Sequence, residues 1–161
     1  MGSPQTILVI DDELGARSAL QAILEGQHSV KLFARGSEAL DFVRGNPDAA
    51  HAAFVDFTMP EMDGAAVCRL LTSADPSLSL IGITGNVAAD FQVPLFATIE
   101  KRGTAVGRVR ETAAQAVAAT CKNRQMRDQA PDVRRQTSDV TPFVAAAAYS
   151  WRQRPARERI P

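Results

Sequence analysis

Two short apolar runs in this chain each end on carboxylates. Residues 7–10 (Ile-Leu-Val-Ile) lead into Asp11 and Asp12, and residues 52–55 (Ala-Ala-Phe-Val) lead into Asp56. Apolar runs of this length, followed by turn pairs such as Met-Pro and Asp-Gly, are typical of strands that are buried on both faces of a sheet. If the strands are parallel, both runs deliver their acids to the same edge. The sequence therefore predicts a buried parallel sheet with a carboxylate cluster at its carboxyl edge.

Extended and helical patterns alternate through residues 6–121. Strands are predicted at residues 6–10, 29–33, 52–56, 78–84 and 96–101. Helices are predicted at residues 13–25, 37–44, 64–72 and 103–121, with a short helix at 87–91 and Ser37 as the cap of the second helix. Five such units imply an α/β fold, in which a doubly wound parallel sheet carries helices on both faces. Ligands of these sheets bind at the carboxyl ends of the strands, where Thr84 and Lys101 also fall.

The charge of the chain is unevenly distributed along its 161 residues. Residues 1–121 hold 14 Asp/Glu against 9 Lys/Arg, whereas residues 122–161 hold 4 against 9. We expect an acidic domain at 1–121 and a basic, mostly disordered tail at 122–161. Forty residues are too few for a DNA-binding module with its own core, and the cations of the tail are too scattered to indicate a nucleic-acid or membrane surface.

Several other classes of protein receive no support from the sequence. Cys68 and Cys121 lack the spacing of a zinc site and favour a reducing compartment. No stretch has the roughly 18 apolar residues of a membrane span, and the N-terminus lacks the apolar core of a signal peptide. These features predict a cytoplasmic protein. His28 and His51 have no Cys or His partner nearby in the sequence, so we interpret both as structural residues.

The predicted cluster of Asp11, Asp12 and Asp56 has a definite chemistry. Carboxylates at about 4 Å repel one another by roughly 1 to 4 kcal/mol per pair, depending on the effective dielectric constant. A divalent cation removes that cost, and oxygen ligands favour Mg²⁺ (or Mn²⁺). A carboxylate can also attack phosphorus to give an acyl phosphate, a reaction that needs charge neutralisation more than proton transfer. Lys101 offers a positive charge for a phosphoryl oxygen, and Thr84 offers a hydroxyl.

These pieces, taken together and in order, resemble the receiver domain of response regulators (CheY-like) in bacterial two-component signalling. The motifs that carry the resemblance are Ile-Leu-Val-Ile-Asp11-Asp12-Glu13, Val-Asp56, Met59-Pro60-Glu-Met-Asp63-Gly64, Ile83-Thr84-Gly85 and Lys101. Each motif is weak alone, but the ordered set is specific. The resemblance covers roughly residues 6–121 and implies a flavodoxin-like sheet with strand order 2-1-3-4-5.

The resemblance also implies a role for each matching residue. Asp56 would be the phospho-acceptor, Thr84 the switch hydroxyl and Lys101 the phosphate-binding lysine. The implied Mg²⁺ ligands are Asp11, Asp12, Asp56 and the backbone carbonyl of Thr58. The implied phosphoryl donor is a histidine kinase or a histidine phosphotransfer protein.

Three departures from the family pattern fall on the face that relays phosphorylation. Arg102 stands where the family usually has Pro, and Thr98 stands where it usually has an aromatic residue. The segment between Thr84 and Lys101 is also about one helical turn shorter than usual, which trims the helix predicted at 87–91. We therefore expect an intact acceptor pocket and an altered output face, with Phe96 as a candidate replacement for the aromatic residue.

The leading interpretation is a stand-alone receiver that accepts phosphate on Asp56 and switches a contact with an unidentified protein in a phosphorelay, without turnover of external substrates. A phosphate-independent adaptor, a haloacid-dehalogenase-type phosphatase and a truncated DNA-binding regulator remain alternatives. The phosphatase is disfavoured because Thr58 occupies the position of its general acid. Homodimerisation is open. Individually, Asp11 and Asp12 could be helix caps, and Lys101 could merely pair with Glu13 or Asp12.

Overall fold

The computed structural model describes residues 5–60, 62–85, 92–101, 103 and 105–129. Five parallel strands form one sheet in the order β2-β1-β3-β4-β5. The strands are β1 (Thr6–Ile10), β2 (Ser29–Phe33), β3 (Ala50–Asp56), β4 (Ser79–Thr84) and β5 (Ala97–Glu100). This order confirms the predicted topology.

Four helices cover the two faces of the sheet. They are α1 (Leu14–Leu24), α2 (Gly36–Gly45), α3 (Gly64–Ala74) and α4 (Val106–Gln129). Alternate residues of a strand point to opposite faces, and β1 shows the consequence. Leu8 and Ile10 pack in the core under α2 and α3, whereas Ile7 and Val9 pack in the core under α1 and α4. Among the described residues, no helix has the length and apolarity needed to cross a membrane.

The start of α2 differs from the prediction. The helix begins at Gly36, its N-cap is Arg35, and no side chain caps it, so Ser37 lies inside the first turn. Packing explains the shift, because a Cβ atom on Gly36 would lie 2.4 Å from a methyl carbon of Val67 in α3. The close approach of the two helices at this glycine fixes where α2 begins.

The end of α4 also differs from the prediction. The helix continues past Cys121 to Gln129, and the compact unit that contains the sheet ends at that residue. Residues 122–129 therefore continue α4 within that compact unit, eight residues beyond the predicted boundary at 121. The short helix predicted at 87–91 and the rest of the tail, residues 130–161, lie outside the described residues.

Arg124 holds the additional turns of α4 against the amino-terminal edge of the sheet. Its guanidinium donates to the Asp75 carboxylate at 2.7 Å, to the Ser77 hydroxyl at 3.0 Å, and to the carbonyls of Asp48 at 2.7 Å and Ala50 at 2.5 Å. Arg124 is 9% exposed and Asp75 is 8% exposed. We call this set of contacts the Arg124 clamp. The hydrogen bonds of the Arg124 clamp compensate the free-energy cost of burying the charges of Arg124 and Asp75.

Candidate functional site

Three carboxylates converge at the carboxyl edge of the sheet. Strands β1 and β3 are neighbours in which Ile10 pairs with Val55, so the acids that follow these two residues, Asp11 and Asp56, meet. Asp11, Asp12 and Asp56 each offer a carboxylate oxygen within 4.8 Å of those of the other two. Asp11 and Asp56 are fully buried, whereas Asp12 is exposed. The convergence expected from the two apolar runs is therefore present in the structure.

Lys101 faces this carboxylate cluster from the end of β5. Its ammonium lies 2.8 Å from Asp56 Oδ2, 3.3 Å from Asp11 Oδ2 and 3.6 Å from Glu13 Oε2. Its backbone N–H donates to the carbonyl of Thr84, which fixes the end of β5 beside β4. Partial burial alone would lower the pKa of Lys101, but the hydrogen bond to Asp56 and the charge of Asp11 outweigh it and raise that pKa to about 12. The lysine therefore remains charged and neutralises part of the cluster.

The two oxygens of Asp56 have different partners. Oδ2 accepts from Lys101. Oδ1 accepts from the backbone N–H of Thr58 at 3.0 Å and from its hydroxyl at 2.8 Å, because the chain turns back on itself after β3. Gly64 at the start of α3 makes that turn tight, since a Cβ atom there would lie 2.3 Å from the carbonyl oxygen of Asp56. Both oxygens of the Asp56 carboxylate are thus held by hydrogen bonds.

Asp11 has one oxygen that lacks a hydrogen bond. Its Oδ1 accepts from the N–H of Glu13 at 2.8 Å, but its buried Oδ2 receives no hydrogen bond from the described residues and has only the ionic contact with Lys101. Burial raises the pKa of Asp11 above its ordinary value, and the charge of Asp56 adds to that effect. A buried carboxylate oxygen whose one contact among the described residues is an ion pair at 3.3 Å is incompletely satisfied, and a bound cation would complete its contacts. The site therefore fits a divalent ion.

The other predicted site residues take clear places around the cluster. Thr84 is buried at the end of β4, next to the residue that pairs with Asp56. Asp63 is the N-cap of α3, where its side chain accepts from the N–H of Ala65. Glu13 is the N-cap of α1 and makes no side-chain cap.

The structure does not support Phe96 as a replacement for the missing aromatic residue. Phe96 precedes β5, and its N–H donates to the carbonyl of Leu80, whereas Thr84 lies four residues further along β4. Four residues of strand span about 13 Å, which exceeds the reach of a phenyl ring. Thr98 is half-buried on β5, in register with Gly82, and Arg102 lies outside the described residues.

Arg17 is a residue of this site that the sequence reasoning missed. Its Nη1 donates to the backbone carbonyl of Asp11 from the first turn of α1. An arginine five residues after an acidic pair carries no signal by itself, because such a residue most often lies on a solvated helix face.

Comparisons with known proteins agree with this geometry. Residues 7–101 match the response regulator receiver domain family. The chain is 40% identical over 83 residues to the response regulator MprA of Mycobacterium sp. (strain KMS), which covers 50% of this chain and 35% of that regulator. It is 36% identical over 87 residues to the C4-dicarboxylate transport transcriptional regulatory protein DctD of Rhizobium meliloti (strain 1021), which covers 53% of this chain and 18% of that protein.

The fold has close structural neighbours as well. The crystal structure of a CheY-like response regulator receiver domain protein from Methanospirillum hungatei JF-1 superimposes with a TM-score of 0.67 at 20% identity, covering 75% of this chain and 99% of that one. This chain belongs to the response regulator receiver domain family of two-component signalling. It spans about a third or less of the two curated relatives described above.

Proposed function

We propose that this receiver accepts a phosphoryl group on Asp56 from a histidine kinase or a histidine phosphotransfer protein, and that the modification changes a contact with another protein. The observation that carries the proposal is the surrounding of Asp56. It is a buried carboxylate at a strand end, with Asp11 and Asp12 beside it and the ammonium of Lys101 at 2.8 Å. That arrangement supplies both a nucleophile and the positive charge that phosphoryl transfer requires.

Asp11, Asp12, Asp56 and the backbone carbonyl of Thr58 would hold a Mg²⁺ (or Mn²⁺) ion. The buried Asp11 Oδ2, which has only the ion pair with Lys101 at 3.3 Å among the described residues, supports this assignment, as does the oxygen-only donor set. When bound, the ion neutralises the carboxylates and the oxygens of the transferring phosphoryl group.

Each protein group then has a defined part in the transfer. An oxygen of Asp56 forms a bond to phosphorus while the bond from phosphorus to the donor imidazole nitrogen breaks, and the electron pair of that bond remains on the nitrogen. Thr58 holds Oδ1 through two donors and so orients the carboxylate. The ammonium of Lys101 moves from the carboxylate to a phosphoryl oxygen, and Thr84 can donate its hydroxyl to another. The phosphoryl group of the product carries about −1.5 to −2 charges in place of the single charge of the free Asp56 carboxylate.

The same geometry favours a switch over an enzyme that turns over external substrates. The residue two positions after Asp56 is Thr58, whose hydroxyl already donates to the acceptor carboxylate. A threonine hydroxyl cannot serve as the proton donor that a phosphatase of the haloacid-dehalogenase type places there. We therefore propose self-phosphorylation without hydrolysis of external phosphoesters.

A phosphate-independent adaptor is the second candidate, and one observation favours it. Thr98 is half-buried on β5 and Phe96 lies about four residues from the level of Thr84, so the described residues supply no aromatic ring at the usual switch position. In that case the output face would bind its partner whatever the state of Asp56.

The experiment combines labelling with capture. The full chain is incubated with Mg²⁺ and phosphoramidate, a small donor whose phosphorus–nitrogen bond resembles that of phosphohistidine, and intact mass spectrometry detects the addition of one phosphoryl group. We expect labelling of the wild type and of Asp41→Asn, an exposed acid on α2. Asp56→Asn should remain unlabelled. Absence of label in the wild type would contradict the proposal.

Partner capture then separates the two candidates. Phosphorylated wild type, unphosphorylated wild type and Asp56→Asn are compared for retention of the same protein. Retention that differs with phosphorylation supports the switch. Equal retention by all three favours the adaptor.

A further inference from the structure

The loop between β1 and α1 is held by an arginine from the helix that follows it. Arg17 is half-buried, and its Nη1 donates to the backbone carbonyl of Asp11. The usual means of fixing a helix start are missing here, because the N-cap residue Glu13 makes no side-chain cap and the first turn of α1 carries no acid. The hydrogen bond from Arg17 therefore ties the first turn of α1 to the loop that precedes it.

Asp11 is fixed by three hydrogen bonds that have different consequences. Its N–H donates to the carbonyl of Phe33 at 3.2 Å, and its Oδ1 accepts from the N–H of Glu13 at 2.8 Å. These two bonds locate Asp11 itself. The third bond, from Arg17 to the Asp11 carbonyl, acts on the next residue, because the peptide unit that joins Asp11 to Asp12 is planar. Fixing the carbonyl oxygen fixes the N–H and the Cα atom of Asp12.

Asp12 depends on that backbone constraint more than the other two acids do. Asp11 and Asp56 are fully buried and held by their surroundings, whereas the side chain of Asp12 is exposed. Its carboxylate nevertheless lies within 4.8 Å of the other two. Because few contacts restrict the exposed side chain of Asp12, the distance of its carboxylate from the other two depends on where the backbone places its Cα atom.

We propose that Arg17 is a positioning residue that orients Asp12 for binding of the divalent cation. The inference rests on the proposed function, since it assigns a role toward the same ion. Arg17 touches neither the ion nor the phosphoryl group in this scheme and acts only through the Asp11–Asp12 peptide. Mutation of a group that contacts a metal ligand, but not the metal itself, typically changes metal affinity by 10- to 100-fold.

A purely electrostatic role for Arg17 would have the opposite sign. Removing a cation from the neighbourhood of three carboxylates makes the site more negative and should tighten the binding of a divalent ion. Removing a positioning contact should weaken it. The direction of the change in affinity therefore separates the two explanations.

The test measures the binding of Mn²⁺ to the full chain by electron paramagnetic resonance of the free ion, with Mg²⁺ as competitor. Arg17→Met removes the donor and the charge, and we expect its Kd to rise about tenfold. Arg17→Gln removes the charge and shortens the side chain, so its Kd should rise as well. Arg17→Lys keeps a charged donor of similar length and should stay within about threefold of the wild type.

Arg110→Met is the matched control. Arg110 also donates to a backbone carbonyl of the α1 segment, that of Ile23 at 2.8 Å, and its loss changes the net charge by the same amount. We expect unchanged Mn²⁺ affinity in this variant. A thermal melt checks that each variant is folded at the temperature of the measurement, and either Arg17→Met or Arg17→Gln suffices for the comparison.

A second measurement separates positioning from a general loss of activity. In Arg17→Met the Mg²⁺ concentration for half-maximal phosphorylation by phosphoramidate should rise about tenfold, whereas the rate at saturating Mg²⁺ stays near that of the wild type. If both charge-removing variants bind Mn²⁺ as tightly as the wild type or more tightly, the inference is overturned while the proposed function stands. If the wild type binds no Mn²⁺, the proposed function and this inference both fall.

Discussion

Replacing Arg124 by Met should destabilise the domain by about 4 kcal/mol. The guanidinium is mostly buried and donates to the Asp75 carboxylate, the Ser77 hydroxyl and the Ala50 carbonyl. Loss of the charge-assisted bond to Asp75 accounts for about 2 kcal/mol, and loss of each of the other two for about 1 kcal/mol. The contacts with Asp48 contribute less, because that residue is exposed and water can replace the donors.

The sum agrees with the general cost of breaking a buried ion pair, about 3–5 kcal/mol. For a unit of this size a loss of about 4 kcal/mol lowers the Tm by roughly 15 °C. The double variant Arg124→Met/Asp75→Asn should recover about 1–3 kcal/mol of the loss, since it leaves no buried charge without its partner and keeps the oxygen that accepts from Ser77.

Urea unfolding followed by far-ultraviolet circular dichroism measures these free energies. Arg127→Met is the matched control, because Arg127 forms two hydrogen bonds with Asp48 at 3.0 Å but its side chain is 51% exposed. We expect little change in the free energy of unfolding there, because water and salt screen an exposed ion pair. If Arg124→Met costs no more than Arg127→Met, the reasoning that the Arg124 clamp holds the end of α4 is refuted.

Three further predictions concern other parts of the domain. Gly64→Ala should lower the free energy of unfolding by about 1–3 kcal/mol or more, because its Cβ atom would lie 2.3 Å from a backbone oxygen of Asp56, whereas Gly45→Ala has open space and should be nearly neutral. His51 accepts from the N–H of Thr6 through Nδ1, and burial together with a nearby guanidinium lowers its pKa. The folded state therefore disfavours protonated His51, so stability present above pH 6.5 should be lost as the pH falls below it, and His51→Gln should flatten the dependence of the urea midpoint on pH between 7 and 5. Lys101→Met should lower the Kd for Mg²⁺ in calorimetric titrations, because the ammonium competes with the ion for Asp56 Oδ2 and, with a pKa of about 12, stays charged at neutral pH.

Each of these predictions has a clear contrary result. Equal stability of Gly64→Ala and Gly45→Ala would show that α3 can move away from β3 at little cost. An unchanged pH slope in His51→Gln would assign the acid sensitivity to other groups. Weaker Mg²⁺ binding by Lys101→Met would show that the lysine supports the shape of the site more than it competes with the ion.

The meeting of acids at the carboxyl edge of the sheet could be predicted from the sequence, because the geometry of a parallel sheet determines it. Strands that are buried on both faces have continuous apolar sequences, and parallel strands end at a common edge. Asp11 and Asp56 follow such runs directly, so their meeting required no knowledge of loops. Lys101 required only that β5 belong to the same sheet.

The amino-terminal edge could not be predicted in the same way. Along α4 the buried stripe of Val109, Ala113 and Val117 continues at the same spacing to Thr120 and Arg124. Thr120 is buried, and its hydroxyl forms hydrogen bonds with the backbone N–H and the hydroxyl of Ser79 at the start of β4. The apolar pattern of α4 ends where Thr120 and Arg124 continue the buried stripe. The residues that form hydrogen bonds with them, Ser79 and Asp75, lie more than 40 positions away in the sequence, so the burial of these polar residues has no local signal.

Arg17 and Ser37 show two further limits of sequence patterns. The bond from Arg17 goes to a backbone carbonyl, which every residue possesses, so no pattern of side chains could indicate it. Ser37 has the residue type of a helix cap, but the contact between Gly36 and Val67 starts the helix earlier. Tertiary packing overrides a local preference of about 1 kcal/mol.

The Arg124 clamp has a practical consequence for anyone who exchanges receivers between regulators. The family match ends at residue 101, yet the compact unit extends to Gln129, and Asp48 and Asp75 form ion pairs with the last turns of α4. A graft joined at residue 121 would carry Asp11, Asp12, Asp56 and Lys101 but leave the buried Asp75 without the counter-charge of Arg124. The junction of such a chimaera belongs after Gln129.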